Sequence, residues 1–128
     1  MKVVDTSAIL AVLFDEVDRG ELERQLLEGP CAMSAVTRVE LGIVIEAKKG
    51  PAGTLLLEEL LARLAIDIVE VDAGLAEDAI VAWRRFGKGR PPAGLNFGDT
   101  FAYALAQRLG QPLLFVGTDF SRTDVALP

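Results

Sequence analysis

The chain has no histidine and a single cysteine, Cys31, among its 128 residues. Without histidine there is no imidazole general base, no Ser-His-Asp triad and no ordinary zinc site, and one cysteine permits neither an intrachain disulfide nor a paired-thiol motif. Glycine-rich phosphate loops are missing as well. There is no GxGxxG, and Gly87-Lys88-Gly89 lacks the spacing and the Ser/Thr of a nucleotide-binding P-loop. Nor is there a long apolar run: Ala8 to Phe14 is too short and too poorly flanked for a signal peptide or a membrane span, so a cytoplasmic protein without membrane contact is expected. Carboxylates, lysine, hydroxyls and metal remain for any chemistry.

Positive charge is also in deficit, with 13 Lys+Arg against 19 Asp+Glu and a net charge of −6. That argues against gripping nucleic acid by bulk charge, yet leaves room for a nucleic-acid enzyme whose acids cluster in one pocket and whose cations lie in one loop. Apolar residues make up 51% of the chain and mean hydropathy is +0.34, high for a small soluble monomer, so self-association is expected. The length corresponds to one domain.

Read for periodicity, the chain alternates strands with helices. Lys2-Val3-Val4 predicts a short buried strand, with Thr6 or Ser7 capping a helix to about Phe14. Gly20 to Leu27 is amphipathic and stops at Gly29-Pro30; Cys31 to Met33 predicts a strand, and Ser34 opens a helix with Val36, Val39, Ile43, Val44 and Ala47 at helical spacing, ending at Lys48-Lys49-Gly50-Pro51. Thr54 to Leu64 is a leucine-rich helix, Ile66 to Val71 a strand, Ala73 to Phe86 a helix, Phe97 to Leu109 another, Leu113 to Val116 the last strand, and Phe120 to Pro128 a tail. Such alternation implies a parallel sheet wrapped on both sides, with ligands gathering beyond the strand C-terminal ends.

Four acids stand beside apolar runs where burial is costly: Asp5, Glu40, Asp99 and Asp119. Each has a local explanation. Asp5 suits a helix N-terminus, Thr37-Arg38-Val39-Glu40 fits a capping box, Asn96 to Asp99 fits an N-cap with a first-turn acid, and Asp119 fits an Asx turn. Together, near strand ends and helix starts, they point to one shared site. An oxygen-only donor set suits Mg²⁺ or Mn²⁺, ions that mostly handle phosphates. Arg84, Arg85, Lys88 and Arg90 form the densest positive stretch, either a solvated helix end or a rail for phosphates.

Val3-Val4-Asp5-Thr6-Ser7, Arg38-Val39-Glu40-Leu41, Leu95-Asn96-Phe97-Gly98-Asp99 with the following Phe101 to Ala106, and Gly117-Thr118-Asp119-Phe120 with Ser121 to Asp124 resemble the signature segments of PIN-domain ribonucleases, in particular VapC-type toxins of toxin–antitoxin modules. The resemblance spans the whole chain. It implies a single PIN domain over residues 1–128, an α/β class three-layer α/β/α sandwich with a central parallel sheet, a divalent-metal-dependent endoribonuclease acting on an RNA substrate, a homodimer, and a VapB-type antitoxin whose tail fills the active site. Position by position, Asp5, Glu40, Asp99 and Asp119 match the acidic tetrad, Thr6 or Ser7 the hydroxyl residue beside the first acid, and Asn96 the polar residue before the third. One departure concerns the metal count: related toxins often read Gly-Asp-Asp-Phe where this chain has Thr118 before Asp119.

On this basis Asp5 and Asp99 are expected as direct ligands, with Glu40 and Asp119 as ligands or as acids that orient the attacking water, giving a 5′-phosphate and a 3′-hydroxyl. Two alternatives are an aspartyl-phosphate phosphatase or receiver-like domain with Asp5 as nucleophile, although Ser7 stands where such a phosphatase has its second Asp, and a PIN-like scaffold that binds partners without cutting.

Overall fold

In the computed structural model, which describes residues 1–16, 18–89 and 94–128, the chain folds as β1 (Lys2–Val4), α1 (Thr6–Leu13), α2 (Arg19–Leu27), β2 (Cys31–Ser34), α3 (Ala35–Leu64), β3 (Asp67–Val69), α4 (Ala73–Phe86), α5 (Phe97–Leu109) and β4 (Leu113–Leu114). The strands form one parallel sheet in the order β3-β2-β1-β4. β1 therefore lies inside the sheet, and the chain steps outward from it through β2 to β3 before returning to β4 on its other side. That reversal leaves a crevice between β1 and β4 at their C-terminal ends, where parallel sheets bind ligands.

The pleat sends successive side chains to opposite faces, and the two cores follow it. Val4, Cys31, Met33 and Leu114 pack with α1, α2 and α3 on one face. Val3 and Leu113 pack on the other with Leu95, Tyr103, Leu105 and Phe120. The three-layer sandwich expected from the sequence is thus observed. α5 is buried continuously from Gly98 to Ala106, and its alanines at 102, 104 and 106 let it lie close against the sheet beneath α4. Among the described residues no helix is long and apolar enough to cross a membrane.

Several local expectations are corrected. The first helix is capped by Asp5, not by Thr6 or Ser7. The break expected at Gly50-Pro51 is a kink in α3, with Gly50 at φ 67° and ψ −163°, a backbone state that glycine adopts without steric cost; the second half begins directly at Pro51, whose missing N–H is harmless in a first turn. Before the kink α3 buries Thr37, Leu41 and Ile45, while Val39 and Ile43 remain 59% and 64% exposed. Of the apolar stripe read from Val36, Val39, Ile43, Val44 and Ala47, Val36 packs against the core, while Val39, Ile43 and Ala47 face outward. The third and fourth strands are shorter than expected, and the C-terminal tail is pinned: Leu113 N donates to Ala126 O at 2.9 Å, and Asp124 accepts bonds from Tyr103, Arg85 and Gln107.

Candidate active site

The four acids lie on separate parts of the fold, Asp5 after β1, Glu40 in α3, Asp99 in α5 and Asp119 after β4. Asp5 follows β1 directly and is 5% exposed. Its Oδ2 accepts from Ser7 N at 3.0 Å and from Ser7 Oγ at 2.6 Å, the usual N-cap geometry with a hydroxyl added. Ser7 Oγ in turn accepts from Val116 N at 3.0 Å, fastening the exit of β4 to the exit of β1. Burial pushes the Asp5 carboxyl above its ordinary range, the Ser7 bonds oppose that rise, and the charge of Glu40 adds to it.

Glu40 enters from α3. The capping box read at Thr37 does not form, because Ser34 caps α3 through the Thr37 N–H at 3.0 Å. The Glu40 carboxylate instead accepts from Thr6 Oγ1 at 2.6 Å. Its far side rests on Gly98 in the first turn of α5, where a Cβ would stand 2.3 Å from Glu40 Oε2. Gly98 is the site residue whose role the sequence reading missed; a glycine inside a helix start, next to an acid, was the available signal.

Asp99 closes a reciprocal capping box with Asn96: Asn96 N donates to Asp99 Oδ2 at 3.0 Å, and Asp99 N donates to Asn96 Oδ1 at 2.9 Å. The N-cap with a first-turn acid read from the sequence is observed. The pKa of Asp99 is pushed up to about 7 by burial, against the Asn96 bond and with help from the charges of Asp5 and Asp119 and a carboxyl–carboxyl hydrogen bond to Asp119. Asp119 is exposed on the turn after β4. Gly117 at φ 100° starts that turn, and Phe120, 2% exposed and 5.1 Å from Phe115, anchors it in the core.

The four acids thus feel one another's charge, Asp5 that of Glu40 and Asp99 those of Asp5 and Asp119, and among the described residues none of them has a salt-bridge partner. Negative charge gathered without an internal cation calls for an external one. Among the described residues no three acids converge tightly enough to enclose an ion unaided; Ser7 and Asn96 hold Asp5 and Asp99 at their own helix starts, and Thr6 ties Glu40 across to the start of α1. The donor chemistry fits a hard divalent ion; the cage is not preformed.

Among the expected phosphate contacts, Arg84 is exposed in the last turn of α4. Arg85 is committed to the tail, donating to Asp124 Oδ2 at 3.2 Å and Tyr103 Oη at 3.4 Å and lying 4.7 Å from the centre of the Phe86 ring. Lys88 is exposed beside Asn96 and Phe97, and Arg90 lies outside the described residues.

A family model described as PIN domain matches residues 2–126. Ribonuclease VapC of Mycolicibacterium smegmatis is 49% identical over 125 residues, covering 97% of this chain and 97% of its own length. Ribonuclease VapC30 of Mycobacterium tuberculosis is 46% identical over 125 residues, covering 97% and 95%. Among solved structures, Mycobacterium tuberculosis VapC20, described as a sarcin-ricin loop cleaving toxin, superposes with a TM-score of 0.77 at 20% identity over 98% of this chain and 97% of its own. VapBC2 from Rickettsia felis, bound to a promoter DNA fragment, gives 0.77 at 16% over 99% and 96%. Both structural likenesses bear on the fold.

Proposed function

The chain belongs to the PIN-domain family and is an endoribonuclease toxin of the VapC type, and from that premise we propose that Asp5, Glu40, Asp99 and Asp119 form the centre at which it hydrolyses RNA with a bound Mg²⁺ or Mn²⁺ ion. The observation that carries this reading is the meeting of four acids from four separate parts of the fold with no salt-bridge partner among the described residues. Asp5 and Asp99 would hold the ion directly, and Glu40 and Asp119 would complete its surroundings. When bound, such an ion polarises a phosphoryl oxygen and makes water more acidic.

The chain's own residues supply orientation. Ser7 restrains the Asp5 carboxylate, Thr6 that of Glu40, and Asn96 that of Asp99, which limits the reorganisation needed when an ion and a phosphate bind. No side chain needs to act as nucleophile: water attacks in line, leaving a 5′-phosphate and a 3′-hydroxyl. The aspartyl-phosphate alternative lacks its second acid, since Ser7 stands at that position and its hydroxyl donates to Asp5 Oδ2. Incubating the protein with RNA and Mn²⁺, with and without chelator, tests the reading: cleavage should require the ion, and an RNA left whole under both conditions would favour a non-cutting scaffold.

A VapB-type antitoxin would neutralise the centre by inserting an Arg or Lys among Asp5, Glu40 and Asp99, where charge-assisted bonds replace the ion. Solved relatives of this fold include toxin–antitoxin complexes. Mn²⁺ and the antitoxin tail should then weaken each other's binding, and Asp99→Asn should weaken both; a tail indifferent to metal would act elsewhere. A two-fold homodimer is the expected free form, closing over apolar side chains such as Val39, Ile43, Leu55 and Leu56, which are 58–64% exposed. Sedimentation of a micromolar sample should give a dimer, and Ile43→Glu a monomer.

A further inference from the structure

The first turn of α5 has two working sides. Gly98 and Asp99 face the acids, while Phe97, Thr100 and Phe101 face a groove of about 400 Å³ bounded by Ile80 and Trp83 of α4, Leu95 and Lys88. Asn96 belongs to both, capping Asp99 and lining the groove. Centre and groove are therefore separated by little more than the width of one helix, about 10 Å.

Phe97 is 74% exposed, and neither the cap of α5 nor the core requires its ring. The ring is nonetheless braced, lying edge-on to Phe101 with centroids 5.1 Å apart at 63°. A steadied aromatic face open to solvent is what an unpaired nucleobase stacks on. Lys88 adds positive charge to a rim otherwise made of apolar side chains, Asn96 and Thr100, complementary to an RNA backbone and opposite in sign to the acids across the turn.

We propose that this groove seats a nucleobase of the RNA flanking the scissile phosphate, with Phe97 as the stacking platform and Lys88 meeting a neighbouring phosphate. The proposal rests on the reading that the chain cuts RNA. It makes Phe97 a binding and specificity residue outside the acidic tetrad, and it assigns base recognition to the α4–α5 side of the centre.

Trp83 is the chain's single tryptophan, so its fluorescence reports on the groove. In the Asp99→Asn background, where RNA stays whole, a single-stranded oligoribonucleotide should shift or quench Trp83 emission, and an abasic strand of equal length should do so less. Phe97→Ala should weaken oligonucleotide binding by roughly tenfold or more, the scale of one base–aromatic stack, and Phe97→Tyr should restore it. With Asp99 intact, Phe97→Ala should raise KM far more than it lowers kcat. If the wild type cuts RNA while Phe97→Ala leaves binding, KM and the base dependence unchanged, the groove proposal is overturned and the cleavage reading stands. If that substitution weakens only antitoxin binding, the groove belongs to a protein partner and the proposal is equally overturned. If no RNA is cut, the cleavage reading itself fails, whatever Trp83 reports.

Discussion

Thr6 donates its hydroxyl to Glu40 across 34 residues of sequence, Oγ1 to Oε1 at 2.6 Å. The bond joins the start of α1 to the second turn of α3, and it holds one acid of the centre with a neutral group that cannot compete for a cation. Thr6→Val keeps the shape and removes the donor. RNA cleavage should fall about ten- to hundredfold, the usual effect of losing a group that orients a metal-site acid, and Thr6→Ser should restore most of it. Unchanged kcat/KM in Thr6→Val would mean that Glu40 needs no such support.

Gly98 makes the opposite kind of contribution, by leaving room. An added methyl would meet Glu40 Oε2 at 2.3 Å, so Gly98→Ala must drive the carboxylate out of its position. Alanine is also the better helix former by about 1 kcal/mol. The expected signature is a split: cleavage reduced at least as far as in Glu40→Gln, with a melting temperature that holds or falls only slightly. Loss of both together would point to packing instead.

Acid protonation sets the stability of the metal-free protein. Asp99 rises from the ordinary 3.8 to about 7 on folding, and Asp5 is raised too. Between those limits the folded state holds protons that the unfolded state has released, so stability falls as pH increases from about 4 to about 7 and then levels. Urea midpoints measured in chelator across that range should decline for the wild type and decline less for Asp99→Asn. At neutral pH Asp99→Asn should be the more stable of the two, because a buried charge has been removed. Midpoints that climb through the same window would contradict the buried, mutually repelling centre.

Thr118 bears on the number of ions. It sits exposed beside Asp119, and its carbonyl accepts from Ser121 Oγ at 2.7 Å, so its side chain lies on a formed turn. One ion should bind tightly and a second weakly or together with RNA, since each carboxylate missing from a site lowers its affinity for a hard cation. Calorimetry should resolve a single tight event in the wild type and a strengthened second one in Thr118→Asp. Two equivalent tight ions in the wild type would be contrary to this account.

The proposed centre could be read from the sequence because carboxylates beside apolar runs are costly to bury without a partner, and the strand order places Asp5 and Asp119 just beyond strand ends. The cap at Asn96 was visible for the same local reason. What was not legible depends on tertiary direction. Val39 and Ile43 have the spacing of a core stripe, but α3 is rotated so that Leu41 and Ile45 face the sheet, and periodicity alone cannot say which of two apolar stripes is covered. The Thr6–Glu40 bond and the fit of Gly98 against Glu40 join residues distant in sequence. The anchoring of the tail was not legible because its anchors, Phe120 in the core and Asp124 on Tyr103 and Arg85, are single residues without a pattern.

The most direct test of the centre is the Mn²⁺ dependence of RNA cleavage by Asp99→Asn beside the wild type, with the fold of both checked by circular dichroism. The account predicts saturable, ion-dependent cleavage by the wild type and almost none by Asp99→Asn at any Mn²⁺ concentration, from a protein at least as stable at neutral pH. Wild-type cleavage by Asp99→Asn with the same Mn²⁺ dependence would contradict it.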